Sequence, residues 1–269
     1  MGVLYCEKRN EREHENMSKI RVTVWNEYRH EKSNEEVRAL YPNGLHAEIG
    51  EALSECEDIE VTLAALDDPD QGLPEEVLNN TDVLFWWGHM AHGDVQDELV
   101  ERVRQRVHDG MGLVILHSGH YSKVFRAVVG TTGNLLWGDN LHEVVWNINP
   151  THPIAAGVPS HFHIEKEEVY AEPFQIPDPD ELVFLSWYET GYVFRSGCVW
   201  KRGAGKVFYF QPGHETVPTY HNPNVRRILQ NAAHYCAKRE TGYAWLQAGN
   251  APYIRSYFVP EDELDCLKK

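Results

Sequence analysis

The sequence predicts a three-layer α/β domain, a mostly parallel sheet flanked by helices, with an antiparallel elaboration in its second half. Three observations carry this. Short apolar runs such as Val83-Leu-Phe-Trp-Trp87 and Leu113-Val-Ile-Leu116 read as strands buried on both faces, as in parallel sheets. Strands of this kind alternate with helical segments of about 10–15 residues, the signature of βαβ units. From about Trp137 to Trp200 the pattern turns to strand-like runs separated by Pro-rich turns, which calls for antiparallel or mixed pairing.

Each element follows in turn. Ile20–Trp25 is the first strand, and Asn26–Glu31 a polar loop behind it. Leu45–Leu53 has helical spacing and Glu60–Ala64 is the next strand. Asp67-Asp-Pro-Asp-Gln-Gly72 is turn chemistry. Pro74-Glu-Glu opens a helical turn, since Pro and acids suit a helix N-terminus. Val83–Trp87 is a strand, a helix runs from about Asp94 to Asp109 and closes on Gly110, and Leu113–Leu116 is a strand. Val144–Ile148, Leu182–Tyr188 and Gly191–Trp200 form the elaboration. Val207–Phe210 returns to the main sheet, and Asn224–Lys238 is a terminal helix. Residues 1–18 are expected as a disordered extension, with Met17 a natural start. Residues 19–240 are the domain, and the aromatic tail 241–269 is expected to pack on it or on a neighbouring subunit, as in a homo-oligomer.

Composition narrows the function. The 269 residues carry 41 Asp+Glu against 25 Lys+Arg, a formal net charge of −16. Such a surface repels phosphate backbones and anionic lipid, so neither a nucleic acid nor a membrane is an expected partner. No run approaches the ~18 apolar residues of a membrane span. The five scattered Cys have no CxxC spacing, so a disulfide framework is not expected and a reducing cytoplasm is. No glycine-rich nucleotide motif occurs, so no nucleotide cofactor is expected.

The chemistry lies in the histidines. Three apolar runs each end in a histidine-bearing turn: His89 and His92, His117 and His120, and His214 with Glu215. Ligand crevices of open α/β sheets lie beyond the carboxyl ends of the strands, so these imidazoles are expected to converge. One from each end, His89, His117 and His214, would suit a divalent ion, zinc above all, with His92 or His120 as substitutes. The same histidines would equally hold substrate hydroxyls as ordinary pocket groups. Asn26, Glu27, Arg29 and His30 in the first loop could bind hydroxyls too. Trp87 could stack on a pyranose face, whereas Trp25 is more readily packing. Glu168, or Glu167 beside it, is the candidate acid/base. An aromatic pocket would raise the carboxyl pKa towards neutrality. Glu165 and Glu167 read as readily as a solvated acidic loop.

Several strings resemble the trehalose-utilisation (ThuA-like) family: Val22-Thr-Val-Trp-Asn-Glu-Tyr-Arg-His-Glu31, Tyr41-Pro-Asn-Gly-Leu-His46, Asp82 through His92, Glu143-Val-Val-Trp-Asn-Ile-Asn-Pro-Thr-His-Pro-Ile154, Glu167-Glu-Val-Tyr170 and Gln211-Pro-Gly-His-Glu215. The resemblance spans roughly Ile20 to Lys238. It implies a class I glutamine-amidotransferase-like, flavodoxin-like fold. It also implies a role in disaccharide catabolism, in concert with an oxidoreductase that makes 3-keto sugars. That fold places a Cys nucleophile on a strained strand-to-helix turn, followed by a later His-Glu pair. Here the turn reads His117-Ser118-Gly119, which excludes a thiolate. Ser118 would be the substitute nucleophile, with His214 as base and Glu215 orienting it. Two functions stand at this stage. One is a hydrolase, lyase or isomerase acting on a keto-disaccharide or glycoside, with Glu168, His214 and Glu215 catalytic and His92, Ser118 and His120 among the substrate contacts. The other is a non-catalytic sugar-binding or regulatory protein that has lost its nucleophile.

Overall fold

A computed structural model describes residues 19–237; the segments expected over 1–18 and 241–269 lie outside the described residues. The strands are β1 (Ile20–Asn26), β2 (Ile59–Ala65), β3 (Val83–Trp87), β4 (Gly112–Leu116), β5 (Leu136–Asn147), β6 (His161–Ala171), β7 (Glu181–Tyr188), β8 (Val193–Arg202) and β9 (Gly205–Phe210). They form one sheet in the order β2-β1-β3-β4-β9-β8-β7-β5-β6. Pairs from β2 through β9 are parallel, and pairs from β9 through β6 are antiparallel. The expected mostly parallel sheet is therefore corrected to one divided evenly. The reason is β9, which lies parallel to β4 on one side and on the other closes a hairpin with β8, turning at Gly203 with φ +60. The expected antiparallel elaboration is thus half of the sheet itself.

Helices α1 (His30–Ser33), α2 (Glu35–Leu40), α3 (Leu45–Ser54), α4 (Glu75–Asn79), α5 (Asp97–His108), α6 (Lys123–Val129) and α7 (Pro223–Cys236) complete the fold. Alternation along each strand explains the three layers. In β3, Val83, Phe85 and Trp87 join the core under α3 and α7, with Leu45, Ile49, Val225 and Ile228. Leu84 and Trp86 join the opposite core under α5 and α6, with Leu99, Val103 and Phe125. A continuous apolar run is what burial on both faces demands.

Four local readings change. The polar loop after β1 leads directly into α1 and α2, and the Asn34 side chain caps α2 by accepting the Glu36 and Val37 N–H groups. The helix expected from Asp94 begins at Asp97, because His92–Asp94 make a separate 3-10 turn. Helix α6 is additional, capped by Ser122, which accepts the Phe125 N–H. The acidic stretch around Glu167 is strand β6 rather than a solvated loop, and only Glu165 of the suspected surface acids is exposed.

Candidate active site

The carboxyl ends of β3, β4 and β9 lie side by side, and the turn beyond each delivers a histidine. Ring centroids of His89 and His117 are 6.1 Å apart, those of His89 and His214 5.6 Å, and those of His117 and His214 5.4 Å. A fourth ring, His30 from α1, stacks on His89 at 5.0 Å and 13°. Two devices hold this cluster in place. Glu27, at the end of β1, is buried and accepts the N–H groups of His89, Met90 and Ala91 at 2.8–2.9 Å. Trp87 is buried beneath the rings and its Nε1 donates to the Gly213 carbonyl at 3.1 Å. Gly213 adopts φ +146, and a Cβ there would lie 2.2 Å from the Tyr220 hydroxyl oxygen, so glycine is required before His214.

The antiparallel half supplies the carboxylates. Glu167 and Glu168 are consecutive in β6, so their side chains leave on opposite faces. Glu167 is fully buried and accepts four hydrogen bonds: from the N–H groups of Glu168, Gly213 and His214 and from the Thr219 hydroxyl. It thereby ties β6 to the loop that carries His214. Glu168 faces His117, whose Nε2 lies 3.1 Å from its Oε2. That oxygen is buried and receives no aligned donor. Tyr170, two residues on, stacks its ring on His117 at 5.0 Å.

Hydrogen-bond partners fix the tautomers, because a carbonyl only accepts and a backbone N–H only donates. His117 Nδ1 donates to the Gln211 carbonyl at 2.9 Å. Burial opposes its charge, but the close ion pair with Glu168 and the charges of Glu167 and Glu215 win, and its pKa is pushed up to about 9. His117 is therefore an imidazolium at neutral pH. His89 Nδ1 donates to Glu215 Oε2 at 3.1 Å, and His30 Nδ1 lies 3.1 Å from Oε1. Although burial would raise it, these histidines hold the Glu215 carboxyl down at about 2. Both rings thus turn Nε2 away from Glu215, and His30 Nε2 is buried without a hydrogen-bond partner. His214 is the opposite: its Nδ1 accepts the Thr216 N–H at 3.2 Å, so the proton of the neutral ring is on Nε2. Burial first, and then the charge of His117, lower its pKa to about 4.

Against the sequence reading, His89, His214, Glu168, Glu215 and His30 come together as one site, and several assignments change. His117 was expected as a metal ligand, but it is a charged ring paired with Glu168. Two sets of donor atoms lie within 4.8 Å of one another, those of His30, His89 and Glu215 and those of His89, Glu168 and His214; in the second, Glu168 stands where His117 was expected. The Glu168 pKa is lowered, not raised: burial is outweighed by His117 and by the charges of His214 and His89. Glu215 orients His89 and His30, and its nearer oxygen is 3.6 Å from His214. Ser118 is no nucleophile in this arrangement, since its buried hydroxyl donates to the Gly88 carbonyl at 2.8 Å. The strained turn residue is His117 itself, at φ +48.

The remaining expected contacts are placed as follows. Asn26 is buried and donates to Glu31, Glu27 is the cradle described above, and Arg29 pairs with Asp67 at the surface. His120 is buried on the Gly133 carbonyl at 2.7 Å, and burial lowers its pKa to about 3. Trp87 is walled in and offers no face to a sugar, and Trp25 packs on Trp86 at 3.7 Å. His92 sits at the rim, 6.0 Å from the Tyr121 ring, its pKa lowered by burial to about 4. The sequence reading missed Tyr170, Thr216 and the clamping role of Glu167. The available signal was the phase of β6: Phe162 and Ile164 alternate, and then two acids lead into Val169-Tyr170.

Residues 21–236 match the family described as trehalose utilisation, ThuA. Among solved structures, a ThuA-like protein from Parabacteroides merdae is similar with a TM-score of 0.63 at 13% identity, covering 83% of this chain and 93% of that one. A Salmonella typhimurium protein described as cytoplasmic gives 0.56 at 12% identity, with 81% and 99% covered. A glutamine amidotransferase from Thermotoga maritima gives 0.51 at 12% identity, with 81% and 97% covered. At these identities the likeness is one of fold. No curated protein matches the chain.

Proposed function

The chain belongs to the trehalose-utilisation (ThuA) family, and we propose that its histidine pocket catalyses proton transfer on a keto-disaccharide or related glycoside, cleaving it by elimination. The observation that carries this reading is that the two rings are held oppositely at Nδ1: His89 Nδ1 meets the Glu215 carboxylate, which in the neutral ring leaves Nε2 as a base, and His214 Nδ1 accepts a backbone N–H, which in the neutral ring leaves an Nε2–H. A carbonyl in the sugar ring acidifies the neighbouring C–H. His89 Nε2 takes that proton, and Glu215, accepting at Nδ1, stabilises the imidazolium that forms. The C–H electron pair becomes the enolate, whose oxygen is met by the His214 Nε2–H and by the positive field of His117. Return of the electron pair expels the glycosidic oxygen, which recovers the proton from His89. Glu168, with its lowered pKa, is a poor base and serves instead to hold His117 charged and to bind hydroxyls.

The same residues fit a divalent ion. Two imidazoles and a carboxylate are a familiar zinc donor set, and Glu168 Oε2 is a buried oxygen without an aligned donor. His89, Glu168 and His214 would hold the ion, and when bound it would supply Lewis acidity towards the carbonyl. Binding through Nε2 would move the His214 proton to Nδ1, towards the Thr216 hydroxyl 2.8 Å away, and would give up the hydrogen bond that Nδ1 accepts from the Thr216 N–H.

The substrate's carbonyl would come from an oxidoreductase acting before this protein, with both in the cytoplasm and this chain as a homo-oligomer. Among the described residues no helix is long and apolar enough to cross a membrane. The test is incubation with a 3-keto-disaccharide in D2O, followed by NMR. Exchange of the C–H beside the carbonyl and release of the leaving sugar are expected. Binding without exchange or cleavage would overturn the enzyme and leave a sugar-binding module.

A further inference from the structure

A second group of imidazoles lies at the far edge of the sheet, on strands β5 and β6. His161 and His163 are two apart in β6 and therefore share a face. The register pairs Trp146 with His161 and Val144 with His163, and His142, two residues before Val144, falls on the same face. Both His161 and His163 are exposed. His142 Nε2 and His163 Nδ1 share a hydrogen bond across 3.0 Å, with rings nearly parallel at 14° and 5.1 Å. The His161 ring follows at 5.6 Å from His163 and rests on Trp146 at 4.8 Å. Beside them runs a groove of about 600 Å³ lined in part by Trp146, Trp187 and Val193.

We propose that His142 and His163, with His161 as a third donor, form a surface site for a divalent transition ion, copper(II) in first place. An ion would replace the proton shared by His142 and His163, and rotation of these surface rings about their side-chain bonds would bring one nitrogen of each to it without backbone movement. Imidazole suits such ions, and copper(II) heads the affinity order. His161 reaches the same ion by rotating about its side-chain bonds, which its exposure permits. The ion would sit at the mouth of the aromatic groove, so that a ligand lying on Trp146 and Trp187 could take one of its open positions. This site shares no residue with the strand-end cluster and does not depend on the activity proposed for it.

Copper(II) titration of the full-length, untagged protein at pH 7.5, read by calorimetry and by electron paramagnetic resonance, tests it. The strand-end cluster is a competing site, so the titration is run in His89→Ala, where an ion at the far edge is expected to remain, with nitrogen hyperfine from at least two imidazoles. In that background His163→Ala and His142→Ala are each expected to weaken binding at least tenfold, and His161→Ala to weaken it less. These side chains are at the surface, and circular dichroism checks that the variants fold. Copper binding unchanged by both His142→Ala and His163→Ala, or already absent in His89→Ala, would overturn the proposal.

Discussion

The two halves of the sheet contribute to the pocket in different ways. The parallel half, β2 through β9, delivers His89, His117 and His214 from the turns beyond its strands, where backbone conformation is free to aim a side chain. The antiparallel half delivers Glu167, Glu168 and Tyr170 from within one strand, where direction is fixed by the pleat. The histidines carry the proposed chemistry, and the strand residues set their protonation and position. Glu168 charges His117, and Glu167 pins the His214 loop. Catalytic groups on loops backed by a rigid scaffold are a general arrangement; here the scaffold also sets the charge.

The sharpest way to break this comparison is to remove the clamp. Glu167→Ala leaves three N–H groups and a hydroxyl without their acceptor in the interior. A loss of about 3–5 kcal/mol is expected in chemical denaturation. A loss below about 1 kcal/mol would mean that the two halves are held together elsewhere. Next in size is His89→Ala on the parallel side. It removes the proposed base from a half-buried position, so turnover of the keto-sugar should fall by about 10²–10⁴, with stability within about 1 kcal/mol of the parent. The smallest effect is expected at Arg29→Ala. Its ion pair with Asp67 is at the surface and outside the pocket, so stability should change by less than about 0.5 kcal/mol and turnover not at all. A loss of turnover there would return Arg29 to the substrate contacts.

The same contrast explains what could be read in advance. Strand β3 matched residue for residue, because an apolar run buried on both faces has few other ways to fold. The meeting of His89, His117 and His214 followed from strand ends and parallel topology alone. What was illegible depends on contacts distant in sequence. His117 became a cation through Glu168, and Glu27 became a cradle because three consecutive N–H groups after β3 reach it. Burial of Glu167 required knowing that β6 pairs with β5, with a register shift between Leu141 and Glu143. Glu143 makes the point again. It is fully buried beside Glu167 with no aligned hydrogen bond to its carboxyl, and burial with the neighbouring charge raises its pKa well above the ordinary value. Nothing in its sequence neighbourhood separates it from a surface acid.

The His117–Glu168 pair is where the two halves meet, and its charge can be measured directly. Proton–nitrogen NMR of histidine-labelled protein across pH 5–10 reports the state of each ring. The raised folded pKa means that the His117 charge adds stability fully below about pH 6.5 and loses that contribution as pH climbs through about 9. The account predicts one ring, absent in His117→Asn, that stays imidazolium until pH approaches 9 and returns towards an ordinary or lower pKa in Glu168→Gln. A His117 ring already neutral at pH 7 in the parent protein would contradict it.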